Sequence, residues 1–175
     1  MARDREAFAE FTVARGKALQ RAAYLMVGDA ALAQDLVQEA LTKTYVAWPR
    51  LRDPANAEAY ARKAITTTAI SWFRRRSWSE RPTGQLPEIV SSGSVAAVDE
   101  RVWLWQALLE LPVRQRAAVV LRYYEDLTEA QTAEAMGCAV GTVKSQVSAG
   151  LAKLRARLGD DPALLPLDDL ITTGR

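Results

Sequence analysis

Apolar residues recur at three- and four-residue spacing through nearly every segment of the first 78 positions. No segment of useful length alternates with the two-residue period of a strand. That pattern restricts the chain to packing helix on helix, because only a helix gathers such residues onto one face. Phe8 and Phe11, then Ala18, Leu19, Ala22, Leu25 and Met26, mark two helices with Gly16 as the expected break. Asp29 is placed to cap the next helix. Its stripe, Leu32, Leu36, Val37, Ala40, Leu41, Tyr45 and Trp48, ends near Pro49. A further helix is expected from about Ala57 to Ser77, after a loop "LRDPAN" in which Pro54 disfavours helical geometry at Asp53.

Residues 79–97, "SERPTGQLPEIVSSGSVAA", are rich in Ser, Pro and Gly and lack a period, as a linker would. Four more helical patterns follow, at about 98–110 with Val102, Trp105, Leu108 and Leu109, at 112–125 opened by Pro112, at 128–136 and at 140–157. The expected fold is therefore all-α. Two small helical domains, 1–78 and 98–158, are joined by a flexible linker, 79–97, and followed by a tail, 159–175.

Composition narrows the chemistry. With 49% apolar residues the 175-residue chain can bury a core in one medium domain or two small ones. No leader-like segment and no uncharged run of about 18 apolar residues is seen, so no membrane insertion is expected and the cytoplasm is the default location. Histidine is absent and Cys138 is the only cysteine, which speaks against a metal site, a catalytic triad or a bound cofactor. Cys138 reads as a small buried turn residue.

The net charge is only +2, but its distribution is uneven. Arg62, Lys63, Arg74, Arg75 and Arg76 fall in a stretch, 59–79, that contains no acid, and Lys144, Lys153, Arg155 and Arg157 follow late in the chain. Cations beside Trp72 and Phe73 suit an opened nucleic-acid strand, since they hold phosphates while aromatic faces replace lost stacking. Those two aromatics are also at helical spacing, where core positions are the commoner explanation.

The segment Leu127–Leu158 has the pattern of a helix-turn-helix. Thr128 and Gln131 form a capping-box signature, Gly137 can take the left-handed cap, and a longer helix follows. At 100° per residue, Val143, Val147, Gly150, Leu151 and Leu154 share one stripe. Thr142, Ser145 and Ala149 then point outward, flanked by Lys144, Gln146 and Ser148. Hydroxyl, amide and ammonium groups on an exposed helix front suit a DNA major groove. By period alone, a helical hairpin with a solvated polar face explains the pattern equally well.

The exact strings go further. "LPVRQRAAVVLRYYEDLTEAQTAEAMGCAVGTVKSQVSAGLAKLRARL" closely resembles region four of bacterial extracytoplasmic-function (ECF) sigma factors. "GDAALAQDLVQEALTKTYVAW" resembles their region two, and "AYARKAITTTAISWFRRRS" looks like the helix that reads and melts the minus-ten element. The whole is most similar to the small actinobacterial, sigma-E-like branch. The resemblance implies an alternative RNA polymerase sigma factor, which is not an enzyme. Its implied partners are core RNA polymerase, through the largest-subunit coiled coil and the flap, and promoter DNA, with an anti-sigma factor left open.

By resemblance, Asp35, Gln38 and Glu39 meet the coiled coil. Asn56, Arg62, Lys63, Thr67, Trp72, Arg74, Arg75 and Arg76 serve the minus-ten element, with 51–57 as the loop that pockets a flipped base. Thr142, Lys144, Ser145, Gln146 and Ser148 serve the minus-thirty-five element. The apolar surface of 112–125, with Val119, Val120 and Tyr123, is expected to divide between core and flap, and the linker to thread toward the active cleft. Three positions depart from the family pattern: Ala139 in place of a capping Ser, Gln146 in place of Arg, and Thr67 in place of Asn. A stand-alone helix-turn-helix regulator is the alternative, although residues 1–78 carry the polymerase-docking string instead of a sensing or dimerisation domain. A nucleic-acid hydrolase lacks the required phosphate loop or ligand set.

Overall fold

A computed structural model describes residues 2–51, 53–76 and 95–159, with side chains at 2–4, 54, 76 and 95–102 left outside that description. The linker and tail expectations fall outside the described residues, apart from the helical positions at 95–97 and Gly159. The described residues form seven α-helices: α1 (Ala2–Val27), α2 (Ala30–Leu51), α3 (Pro54–Arg76), α4 (Val95–Glu110), α5 (Val113–Val119), α6 (Glu129–Met136) and α7 (Val140–Leu158). A wide π turn, Val120–Tyr124, extends α5.

The first three helices pack mutually. Leu19, Ala23 and Met26 of α1, Ala33, Leu36, Val37 and Ala40 of α2, and Ala57, Ala61, Ile65 and Ala69 of α3 are all buried. The alanines let the helix axes approach closely while the larger side chains fill the space between them. One end is closed by aromatics: Phe8 meets Tyr45 edge-on at 4.9 Å and Trp48 at 5.2 Å. The caps follow the expected chemistry. Asp29 Oδ1 accepts from the Leu32 amide at 2.8 Å, and Asp53 Oδ1 from that of Ala55 at 2.9 Å.

Several boundaries differ from expectation. Gly16 does not break α1, which runs through it. A mid-helix glycine costs about 1 kcal/mol, less than the burial of Leu19 and Met26 returns. Helix α2 continues two residues past Pro49, where proline's missing amide removes one bond near a helix end. Tyr45, expected in the core, is 42% exposed and contributes only its edge to Phe8. Helix α3 starts at Pro54, so the expected loop 51–57 is reduced to residues 52–53 and Asn56 lies in the first turn of α3. Proline at a helix's first position loses no bond there.

In the second half Pro112 is the N-cap of α5 instead of its first residue. The Glu125 amide donates to the Val120 carbonyl, five residues back, at 3.0 Å, the signature of the π turn. This extra residue per turn rotates both Val119 and Val120 inward to 2% exposure, so neither is available to a flap, while Tyr123 stays half-buried. Cys138, expected to be buried, is half-buried. Trp105, Leu108, Val119, Leu121, Val143 and Leu154 are at the centre of this half.

The two halves are not separate in this structure. α3 packs on α5 and α6, α1 touches α4, α5 and the π turn, and one contiguous apolar cluster runs through both.

Candidate nucleic-acid interface

The helix-turn-helix is fixed by local chemistry at both ends of α6. Thr128 Oγ1 accepts from the Gln131 amide at 3.2 Å while Gln131 Oε1 accepts from the Thr128 amide at 2.9 Å. This reciprocal box satisfies two amides that a helix start leaves open. At the other end Gly137 adopts φ 63°, and its own and the next amide return to the carbonyls of Glu134 and Ala133. That left-handed cap turns the chain sharply into α7. Ala139 is the N-cap of α7 and offers no side-chain bond, so amides at the front of this helix remain open to an outside acceptor.

Val143, Gly150 and Leu154 of α7 are buried, and Val147 and Leu151 half-buried, as their period requires. α7 crosses α5 closely at Gly150, where a Cβ would lie 2.9 Å from Val119 Cγ2. The opposite side presents Lys144, Ser145 and Ser148 to solvent, with Thr142, Gln146 and Ala149 half-buried. Ser145 donates to the Thr142 carbonyl at 2.9 Å, which leaves its oxygen to accept from a base edge. Lys144 lies 3.4 Å from Glu129 of α6, with 62% of its side-chain surface open. An exposed pair of this kind is weak, and a phosphate can displace the carboxylate. A groove of about 290 Å³, lined by Arg122, Glu129, Lys144, Ser148 and Arg155 among others, runs beside this front.

The residues expected to serve strand opening share α3 but not one face. Asn56, Lys63, Arg74 and Arg75 are exposed; Arg76 ends the helix, its side chain outside the described set. Trp72 and Phe73 are half-buried and meet edge-on at 5.9 Å. Thr67 donates back to the Lys63 carbonyl at 2.7 Å, and its methyl faces Gly137. Arg62 faces inward: its Nε lies 2.8 Å from Glu125 Oε2 and its Nη2 2.8 Å from Glu58 Oε1, leaving 13% of the side chain exposed. Glu58 is held in turn by Arg15 at 3.1 Å. Asp35, Gln38 and Glu39 all lie exposed on α2, with Glu39 bound to Lys43 at 2.6 Å.

The residues that sequence reasoning missed are those facing Arg62 and Phe73 from the second half. Arg116 is 5% exposed, its guanidinium 5.3 Å from the Phe73 ring centre and its Nε without a partner. Burial pushes its pKa down to about 10, so it stays charged at neutral pH. Nothing local in "VRQRAAV" distinguishes it from a surface arginine. Among the described residues no helix is long and apolar enough to cross a membrane, and no group of three or more His, Cys, Asp or Glu could hold a metal ion.

A capped helix-turn-helix carried beside a three-helix unit rich in cations places the molecule among all-α DNA-binding transcription proteins. The Sigma-70 region 2 model matches residues 12–79, and the Sigma-70, region 4 model matches residues 101–154. The RNA polymerase sigma-E factor of Streptomyces coelicolor is 40% identical over 151 residues, covering 86% of this chain and 85% of that protein. The ECF RNA polymerase sigma factor SigL of Mycobacterium tuberculosis is 32% identical over 145 residues, 80% of this chain and 82% of its own. The fold resembles that of the sigma factor RpoE from Bartonella quintana, solved with the anti-sigma factor NepR (TM-score 0.71, 23% identity, 89% of this chain and 99% of that one). It also resembles CnrH, solved with the cytosolic domain of CnrY (TM-score 0.62, 21% identity, 90% of each chain). The chain belongs to the sigma-70 family of RNA polymerase sigma factors, in its actinobacterial ECF group.

Proposed function

We propose that this sigma factor divides promoter recognition between its two halves and works in the cytoplasm without a cofactor. Asp35, Gln38 and Glu39 dock the first half on the coiled coil of core polymerase. The front of α7 reads the minus-thirty-five duplex: Lys144 and the open amides behind Ala139 hold phosphate, and Ser145, Gln146 and Ser148 meet base edges. Cations of α3, with Lys63, Arg74 and Arg75 outermost, hold the minus-ten strand as it opens, and Arg62 joins them once its carboxylate partners release it. The reading is carried chiefly by α7, which follows the doubly capped α6 and holds its hydroxyl and ammonium groups in solvent while its apolar stripe packs on α5.

The domain limits proposed are 1–78 and 98–158, with 79–97 spanning the polymerase cleft between them. An anti-sigma factor is a further partner consistent with this fold, since both solved neighbours were crystallised with one. Run-off transcription with purified core polymerase tests the scheme. It predicts core-dependent initiation at selected promoters, lost when Asp35, Gln38 and Glu39 are all replaced by Ala. A chain that binds operator DNA and initiates nothing would be a stand-alone regulator.

A further inference from the structure

The first half is joined to the second along α3 and the end of α1. Arg62 is bonded to Glu125, Phe73 lies under Arg116, Tyr24 stacks on Trp105 at 4.9 Å and 11°, Gly28 abuts Leu109, and Thr67 faces Gly137. Arg62, Thr67 and Phe73 are on the α3 helix assigned to strand opening. The front of α7 and the exposed carboxylates of α2 are left uncovered by the same packing.

We propose that this packing is an autoinhibitory latch, in which the Glu125 carboxylate occupies the place of a DNA phosphate on Arg62. The inference rests on the proposed role of α3 in holding the opened strand. A guanidinium fork binds carboxylate and phosphate through the same geometry. In the closed chain the fork of Arg62 is filled by Glu125 on one side and Glu58 on the other, with only 10% and 20% of those carboxylate side chains exposed. A strand phosphate can reach Arg62 only after Glu125 leaves. Glu58 is on α3 itself and moves with Arg62; Glu125 follows the π turn and leaves with the second half.

The latch is built to open. Arg116 is buried against Phe73 with its Nε unpaired, and a buried charge without full hydrogen bonding opposes the packing that buries it. Separating the halves rehydrates it. The expected order is docking through α2 first, release of Glu125 second, strand capture by α3 last.

The test uses the full chain with Cys138→Ser and spin labels at Thr42→Cys on α2 and Ala152→Cys on α7, both exposed positions. The otherwise unaltered chain gives one narrow distance distribution. Glu125→Gln, which keeps the shape and removes the charge, broadens it and shifts it longer, as does adding core polymerase. In the same variant, binding to a mixed-sequence single-stranded oligonucleotide tightens, and its log–log salt slope steepens by about 0.7, the increment for one more neutralised phosphate. Adding Arg62→Ala abolishes that gain. An unchanged distance in Glu125→Gln, or a longer one without the gain in strand binding, overturns the latch. If Glu125→Gln lost its helical circular dichroism, Arg62→Ala alone would decide the distance arm. Promoter opening by the Arg62→Ala holoenzyme is scored separately: normal opening there removes Arg62 from the strand-binding set, whereas an unresponsive Glu125→Gln chain removes only the latch.

Discussion

Thr132 illustrates how much one atom decides at the residue scale. Its side chain is completely buried in α6 and its hydroxyl has no hydrogen-bond partner. By contrast Thr44 and Thr66, equally buried, donate to carbonyls four residues back at 2.7 and 2.9 Å. An unmet buried hydroxyl costs about 1–3 kcal/mol, so the isosteric Thr132→Val should stabilise the protein by about 1 kcal/mol in urea unfolding. On the recognition front, Lys144→Ala should weaken binding to all duplexes alike and reduce the salt slope by about 0.9, since one phosphate fewer is neutralised. Substitutions at Gln146 should instead change the preferred base, at about 1–3 kcal/mol of discrimination. Binding titrations against a randomised duplex library separate the two behaviours.

At the scale of the element, the close crossing of α7 on α5 sets the tolerance. Val119 is β-branched and locked by packing, so it cannot turn away from a new methyl at Gly150. Gly150→Ala should therefore destabilise by about 1–2 kcal/mol, overpacking outweighing the better helix propensity of alanine. Thermal denaturation gives the sign directly. Both helix-turn-helix caps were legible from local sequence, because Thr128, Gln131 and Gly137 act on amides within five residues of themselves. The unbroken α1 was not. There the penalty at Gly16 is local, whereas the burial of Leu19, Ala23 and Met26 that overrides it depends on α2 and α3, far along the chain. The inward turn of Val119 and Val120 was equally hidden, since a 3.6-residue period carries no trace of a π turn.

The whole molecule adds what no element holds alone. Sequence reasoning found the two units and the candidate interface residues on each. It did not find the surface where they meet, because Arg62 and Glu125 are 63 residues apart and share no periodic pattern. Tyr24 and Tyr124 belong to this joined structure, and burial raises the pKa of each above the usual 10.0, helped at Tyr24 by Asp29. A raised phenol contributes stability that is fully present below pH 10.0 and is lost as pH climbs through the folded-state value. Arg116, lowered by burial, contributes the opposite slope above about pH 10. The expected outcome is an alkaline loss of thermal stability above about pH 10 that is smaller in the double variant Tyr24→Phe, Tyr124→Phe. Melting temperatures across about pH 8–11, compared as differences between the two chains, check it.

The π turn makes chain length itself a constraint. Removing a single residue from Val120–Tyr124 would let the backbone rewind to ordinary α geometry, and everything beyond would rotate by about 100° around the axis. Glu125 would then swing out of reach of α3 while α6 and α7 kept their own internal bonds. One missing codon would thus uncouple the halves without unfolding either.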